Sequence, residues 1–217
     1  MKQRTSAFFL SAACAFVLGA APAPLFAAPA SRGTVVYFEG DVKVDGAAPE
    51  IGRELAARAV VETGVGATCE IVFGGKNAIR VGQSAVATLD FSGIVKEVAL
   101  AKGGLTAVLR KLEKVAGSDV FRVDTPLAVA GVRGTSFCVW VDEASSYVCA
   151  CNGTVHTIDA KGANDQTLNA AHHVARVYSK KDGVIGIAPA GVEHHSDATV
   201  ESLAARIGEK LDWQRAD

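Results

Sequence analysis

Phe121-Arg122-Val123-Asp124-Thr125-Pro126-Leu127-Ala128-Val129-Ala130-Gly131-Val132-Arg133-Gly134-Thr135-Ser136-Phe137 is the stretch on which the fold reading turns. Its first four residues alternate apolar and polar, the pattern of a strand with one buried face. Pro126 fixes its own backbone angle and removes a donor, so the Thr125-Pro126 step ends that strand and redirects the chain. Gly131 and Gly134 flank Val132 and Arg133 closely enough to predict tight turns on both sides of the arginine. With five donors, Arg133 is suited to satisfying neighbouring carbonyls, which makes the motif a corner; a ligand- or partner-binding role is the competing reading.

The same grammar extends in both directions. From Thr34 to about Ile158 short valine-rich segments are separated by glycine, the spacing of many short strands. Val42 and Val44 alternate with Lys43 and Asp45, and Cys69, Ile71 and Phe73 alternate with Glu70 and Val72. Further strands are expected over 78–81, 85–89, 95–100, 120–123, 136–141 and 146–150. Leu105, Val108, Leu109 and Leu112 fit a helical stripe, while Leu105, Ala107 and Leu109 fit a strand; the strand neighbours favour strand. Two segments, 36–42 and 148–155, both read strand, glycine, strand, with Gly40 and Gly153 placed to carry a strand round a corner. The expected architecture is mainly β, a coiled two-layer β-sandwich or solenoid-like body spanning 31–160. Residues 161–217 form a C-terminal extension: a loop over 161–170, a strand over 172–178, and a terminal helix. Val200, Leu203, Ala204, Ile207 and Leu211 recur there at helical spacing behind a cap at Ser196 or Asp197.

The first thirty residues differ from all that follows. Lys2 and Arg4 precede an uncharged apolar run over 7–21, then Pro22, Pro24 and Pro29 among small residues, the layout of a cleaved secretory signal peptide. Candidate cleavage positions follow Ala27 and Ala30, and Cys14 sits in a loose lipid-anchor context. The expectation is export to the periplasm or beyond, with no transmembrane span after cleavage. The 22 basic and 23 acidic residues give a net charge of −1, or −3 without Lys2 and Arg4, which leaves no footprint for nucleic acid or a polybasic membrane contact.

The 121–137 stretch, with Thr125, Pro126, Gly131, Arg133, Gly134 and Thr135 in order, resembles the hallmark of the FecR domain. Gly40-Asp41-Val42, Thr63-Gly64 and Gly82-Gln83-Ser84 fit the same family, and the similarity covers about 34–158. In the best-known members the domain is the periplasmic part of a regulator that crosses the inner membrane and controls a sigma factor during iron-chelate uptake. Here only an export signal is expected ahead of the domain. The resemblance therefore implies an envelope module for signalling or protein binding, with an envelope protein partner.

A second feature is Cys149-Ala150-Cys151, followed by His156 and by the pairs His172-His173 and His194-His195. Thiolates and imidazoles suit zinc, copper or haem iron, so a metal- or haem-binding protein using Cys149, Cys151 and one or more of His172, His173, His194 and His195 is the alternative function. On a strand Cys149 and Cys151 point the same way with Cα atoms about 6.6 Å apart, near enough to share a metal but not to bond without strain. An adjacent histidine pair on a strand points to opposite faces, so at most one of His172 and His173 enters such a site. Two other readings stay open: a Cys138–Cys149 disulfide across a 136–150 hairpin, with Cys69 taking a second partner, or free buried thiols. No nucleophile elbow or thiol-protease signature is present, and Gly74-Gly75 and Gly103-Gly104 lack the lysine and helix of a phosphate loop. The chain is expected not to be an enzyme.

Overall fold

The computed structural model describes residues 32–110, 120–132 and 134–215. The signal peptide expected over 1–30 and Arg133 lie outside the described residues. In chain order the strands are β1 (Gly33–Glu39), β2 (Val42–Val44), β3 (Arg58–Thr63), β4 (Thr68–Phe73), β5 (Asn77–Val81), β6 (Val86–Asp90) and β7 (Lys96–Leu109). They continue as β8 (Phe121–Asp124), β9 (Ala128–Val132), β10 (Ser136–Val141), β11 (Ser145–Asp159), β12 (Gln166–Ala170), β13 (Val174–Lys181) and β14 (Val184–Ala190), and helix α1 (Asp197–Ala205) closes the order.

Two long strands organise everything else. The second half of β7 and the first half of β11 flank β10 in one sheet, ordered β1-β4-β5-β7-β10-β11-β13-β14. Their other halves belong to a second sheet, ordered β2-β3-β6-β7-β8-β9-β11-β12. Because β7 and β11 pass through both sheets, β7, β8, β9, β11 and β10 close into a small barrel, from which further strands extend on each side. The main core lies between the sheets and is built from Val61, Ile71, Leu89, Leu100, Leu105 and Phe137, with Phe73 stacked on Phe91 at 4.8 Å and on Phe121 at 5.7 Å. The mainly β architecture with one C-terminal helix is as the residue pattern predicts.

Each long strand changes sheet at a glycine. Gly103 (φ +77°) sits where β7 leaves β6 for β10, and Gly153 (φ +112°) where β11 leaves β10 for β9 and β12. L-residues with a side chain rarely adopt these angles. A Cβ on Gly103 would stand 2.4 Å from the Ala85 Cα, and one on Gly153 would strike the Thr135 side chain. Gly103→Ala is therefore expected to lower stability by about 2 kcal/mol, read as an earlier urea midpoint with unchanged slope.

The motif that opened the sequence reading is a hairpin and a corner. β8 ends at Asp124, and the Thr125 hydroxyl donates to the Ala128 carbonyl (2.7 Å) and accepts from the Ala128 N–H (2.9 Å) before β9 returns antiparallel. Gly131 does not turn the chain: it lies inside β9, opposite Arg122 and His156. The turn comes at Gly134, after which the buried Thr135 hydroxyl donates to the Asn152 carbonyl beside Gly153.

Beyond residue 160 the sheets continue. The expected loop over 161–170 contains β12, and the single expected strand becomes β13 and β14, because β11 offers both of its halves for pairing. Helix α1 ends at Ala205, earlier than the stripe through Leu211 implied; Ile207 and Leu211 still pack against the same cluster from the turns that follow. Its cap is Ser196, whose hydroxyl accepts from the Thr199 N–H (3.3 Å).

Candidate metal centre

The outer face of the first sheet carries a second apolar cluster, of Ala78, Val108, Cys138, Tyr147, Cys149 and Cys151, covered by Val200, Leu203 and Ala204 of α1. Cys149 and Cys151 project onto this face from alternate positions of β11 and are wholly buried. Two connections bring histidines to them. His173 lies in the link from β12 to β13, and its N–H donates to the Cys151 carbonyl (3.0 Å). His195 lies in the link from β14 to α1. That link is anchored by Tyr147, whose hydroxyl donates to the Gly191 carbonyl (3.1 Å) and accepts from the Glu193 N–H (3.2 Å). The buried Asn152 ties down the remaining cover, donating to the carbonyls of Ala171 (2.8 Å) and Asp212 (3.0 Å).

The four donor atoms of Cys149, Cys151, His173 and His195 lie within 4.8 Å of one another. Cys149 Sγ is 3.6 Å from His173 Nδ1, Cys151 Sγ is 3.3 Å from His195 Nε2, and the two nitrogens are 3.3 Å apart. Tetrahedral zinc with bonds of about 2.3 Å to sulfur and 2.05 Å to nitrogen would set these edges at about 3.6 Å for sulfur to nitrogen and about 3.4 Å for nitrogen to nitrogen.

The far side of each ring explains why those nitrogens face inward. His173 Nε2 donates to Asp197 Oδ1 (2.7 Å), and His195 Nδ1 donates to the Glu193 carbonyl (2.6 Å). With the proton fixed on the outer nitrogen by an acceptor, a neutral imidazole turns its lone pair to the thiols. Two lone pairs 3.3 Å apart in a buried pocket repel unless a cation stands between them. Burial lowers the His195 pKa, but hydrogen bonds and charge from Cys138 and Cys149 outweigh it and raise it to about 10. A hydrogen bond from the Cys151 thiol, opposed by burial and aided by His195, Tyr147 and His173, holds Cys149 well below the usual thiol range. Burial and the neighbouring Cys149 push Cys151 up.

Of the residues the sequence singled out, the structure thus brings together one from each histidine pair and both cysteines. His172 stays outside, with Nε2 3.0 Å from Asp197 Oδ2, and His194 stacks on Trp140 at 4.6 Å. His156 is on the second sheet beside Thr167. Cys138 is the cross-strand partner of Cys149, but all four described cysteines are free, and Cys69 belongs to the main core. Asp197, read from sequence only as a possible cap, orients His173; Trp213, 5.3 Å from the His173 ring, roofs the site. Four donors converging on one point suit a single ion rather than a macrocycle, so the geometry does not favour haem.

Residues 59–156 match the family model described as FecR protein. No curated protein matches the chain. Two crystal structures of a candidate anti-sigma factor from Parabacteroides distasonis are similar to it at 16% identity, with TM-scores of 0.48 and 0.47 over 61% and 60% of this chain. The chain spans about 60% of the length of those proteins, 60% and 59% respectively.

Proposed function

We propose that this chain, which carries a FecR domain over residues 59–156, is an exported regulatory module of the cell envelope that holds one Zn2+ ion between that domain and its C-terminal arm. The observation that carries the metal reading is the pair of imidazole nitrogens turned onto two buried thiols by outward acceptors, at tetrahedral spacing. Charge favours zinc over monovalent copper, because two thiolates cancel a divalent ion and leave a neutral buried centre. Four protein ligands fill a tetrahedron and leave no open position for water, the arrangement of a structural rather than a hydrolytic site. That supports a non-catalytic role, and the FecR domain supports a protein partner in the envelope. Export is supported by the leader-like composition of residues 1–30.

Cys149 and Cys151 lie inside the FecR match, whereas His173 and His195 lie beyond it, so the ion would weld the arm to the domain. The test is metal analysis of protein purified from the periplasm. One zinc per chain is expected in the wild type and less than a tenth of that in Cys149→Ser and His195→Ala. Wild-type protein that neither retains nor takes up zinc, or variants that keep it in full, would refute the centre.

A further inference from the structure

We infer that Cys138 and Cys149 form a disulfide site that competes with the metal ion for the Cys149 sulfur, so that the centre is either loaded or oxidised. This rests on the zinc reading above and names its regulation.

Cys138 on β10 stands directly opposite Cys149 on β11, and both point to the outer face beneath α1. Residues so paired have Cβ atoms about 4.5–5.5 Å apart, and a disulfide needs about 3.5–4.5 Å, a closure within reach of small backbone adjustment. Among the described residues no other pairing competes. Cys149 and Cys151 are two strand positions apart, at the outer limit for a bond, and Cys69 lies on the far side of the sheet in the main core. Cys138 itself is not among the four converging ligands; its sulfur accepts a weak hydrogen bond from the Thr106 hydroxyl (3.8 Å).

The reaction needs an oxidant, here a small-molecule disulfide of the kind met outside the cytoplasm. Its S–S bond breaks as the Cys138–Cys149 bond forms through a mixed disulfide, and two electrons pass from the protein sulfurs to the oxidant, which leaves as two thiols. Their two protons come from the Cys138 and Cys149 thiols, or from solvent where Cys149 is already a thiolate. A bridged Cys149 no longer offers a thiolate, so the ion loses a ligand. Both sulfurs lie sealed beneath the arm, Cys138 2% exposed and Cys149 0%. An oxidant therefore reaches them only when the arm opens, and a Cys149 thiolate bound to the ion would not be free to attack a disulfide. The loaded centre is thus protected, and oxidation acts on metal-free protein.

The test uses the full chain, stripped of metal under reducing conditions, treated with oxidised glutathione and then offered Zn2+, with bound ion counted by a chromophoric chelator and peptides mapped by mass spectrometry. Expected are a Cys138–Cys149 linked peptide, at least a tenfold loss of zinc uptake that a reductant restores, and full retention when zinc is added before the oxidant. Cys138→Ala, or Cys138→Ser should the alanine variant not fold, should take up zinc normally after the same treatment. Wild-type protein that reloads fully after oxidation, or a Cys138 variant that loses uptake as completely, overturns the competition while leaving the centre intact. Reduced wild-type protein that never takes up zinc overturns both.

Discussion

Adding Zn2+ to the metal-free chain should raise its unfolding free energy by about 4 kcal/mol once the free ion stands about a thousandfold above its dissociation constant. For a chain of this size that corresponds to a thermal midpoint higher by roughly 8–16 °C. The gain is large because the site exists only in the folded state: β11 supplies two sulfurs, and two separate connections, after β12 and after β14, must close on them. In the unfolded chain His173 and His195 are strangers to the thiols, so the binding free energy becomes folding free energy. Binding should also release about two protons near neutral pH, one from the Cys151 thiol and one from the His195 imidazolium, since Cys149 is already a thiolate there. Calorimetric titrations in buffers of different ionisation enthalpy measure that number. Cys149→Ser should keep its metal-free stability within about 1 kcal/mol yet gain nothing from zinc. A wild-type midpoint unmoved by the ion would remove the centre from the account.

How much of this was legible in the residues follows from which forces are local. The hairpin at Thr125-Pro126 could be read because proline acts on its own backbone. The strand over 105–109 was ambiguous for a physical reason: Leu105, Ala107 and Leu109 face the main core while Val108 faces the outer cluster under α1, so burial on both faces blurs the period. The corner of β11 at Gly153 was legible from its strand-glycine-strand pattern, but that β7 is likewise one strand crossing two sheets was not, because Gly103-Gly104 reads equally well as a strand end. The candidate metal ligands were legible as a set of six. Choosing four needed the fold, because the two connections put His172 against Asp197 and His194 against Trp140. Cross-strand order, which no local pattern encodes, adds a further relation. Tyr37, Glu70, Arg80, Thr106, Cys138, Cys149 and Ala175 form one continuous row across the outer face of the first sheet.

The far end of that row carries the other large effect: Glu70→Gln should cost about 3 kcal/mol, seen as an earlier urea midpoint and a thermal midpoint lower by roughly 6–12 °C. The Glu70 side chain is 1% exposed and lies between two guanidiniums. Arg80 reaches it from β5 through Nε (2.8 Å) and Nη2, and Arg206 reaches it from the end of α1 through Nε (2.6 Å). Arg80 also donates to the Thr199 carbonyl (3.2 Å) and the Ser202 hydroxyl (2.8 Å), and the Arg206 guanidinium lies 4.7 Å over the Tyr37 ring. Removing the carboxylate charge leaves two cations facing a buried amide, and the half-exposure of Arg206 is what keeps the expected cost at the lower end for a broken buried pair. Arg206→Ala should cost only about 1 kcal/mol, since its partner retains Arg80 and its own charge is partly solvated. Because the carboxylate grips the end of α1 and the candidate ligand His173 holds its first residue, Asp197, Glu70→Gln should also speed amide exchange across residues 197–205 while zinc stoichiometry is expected to stay at one. Equal urea midpoints for wild type and Glu70→Gln would show that the helix is held by its apolar stripe and the ion alone.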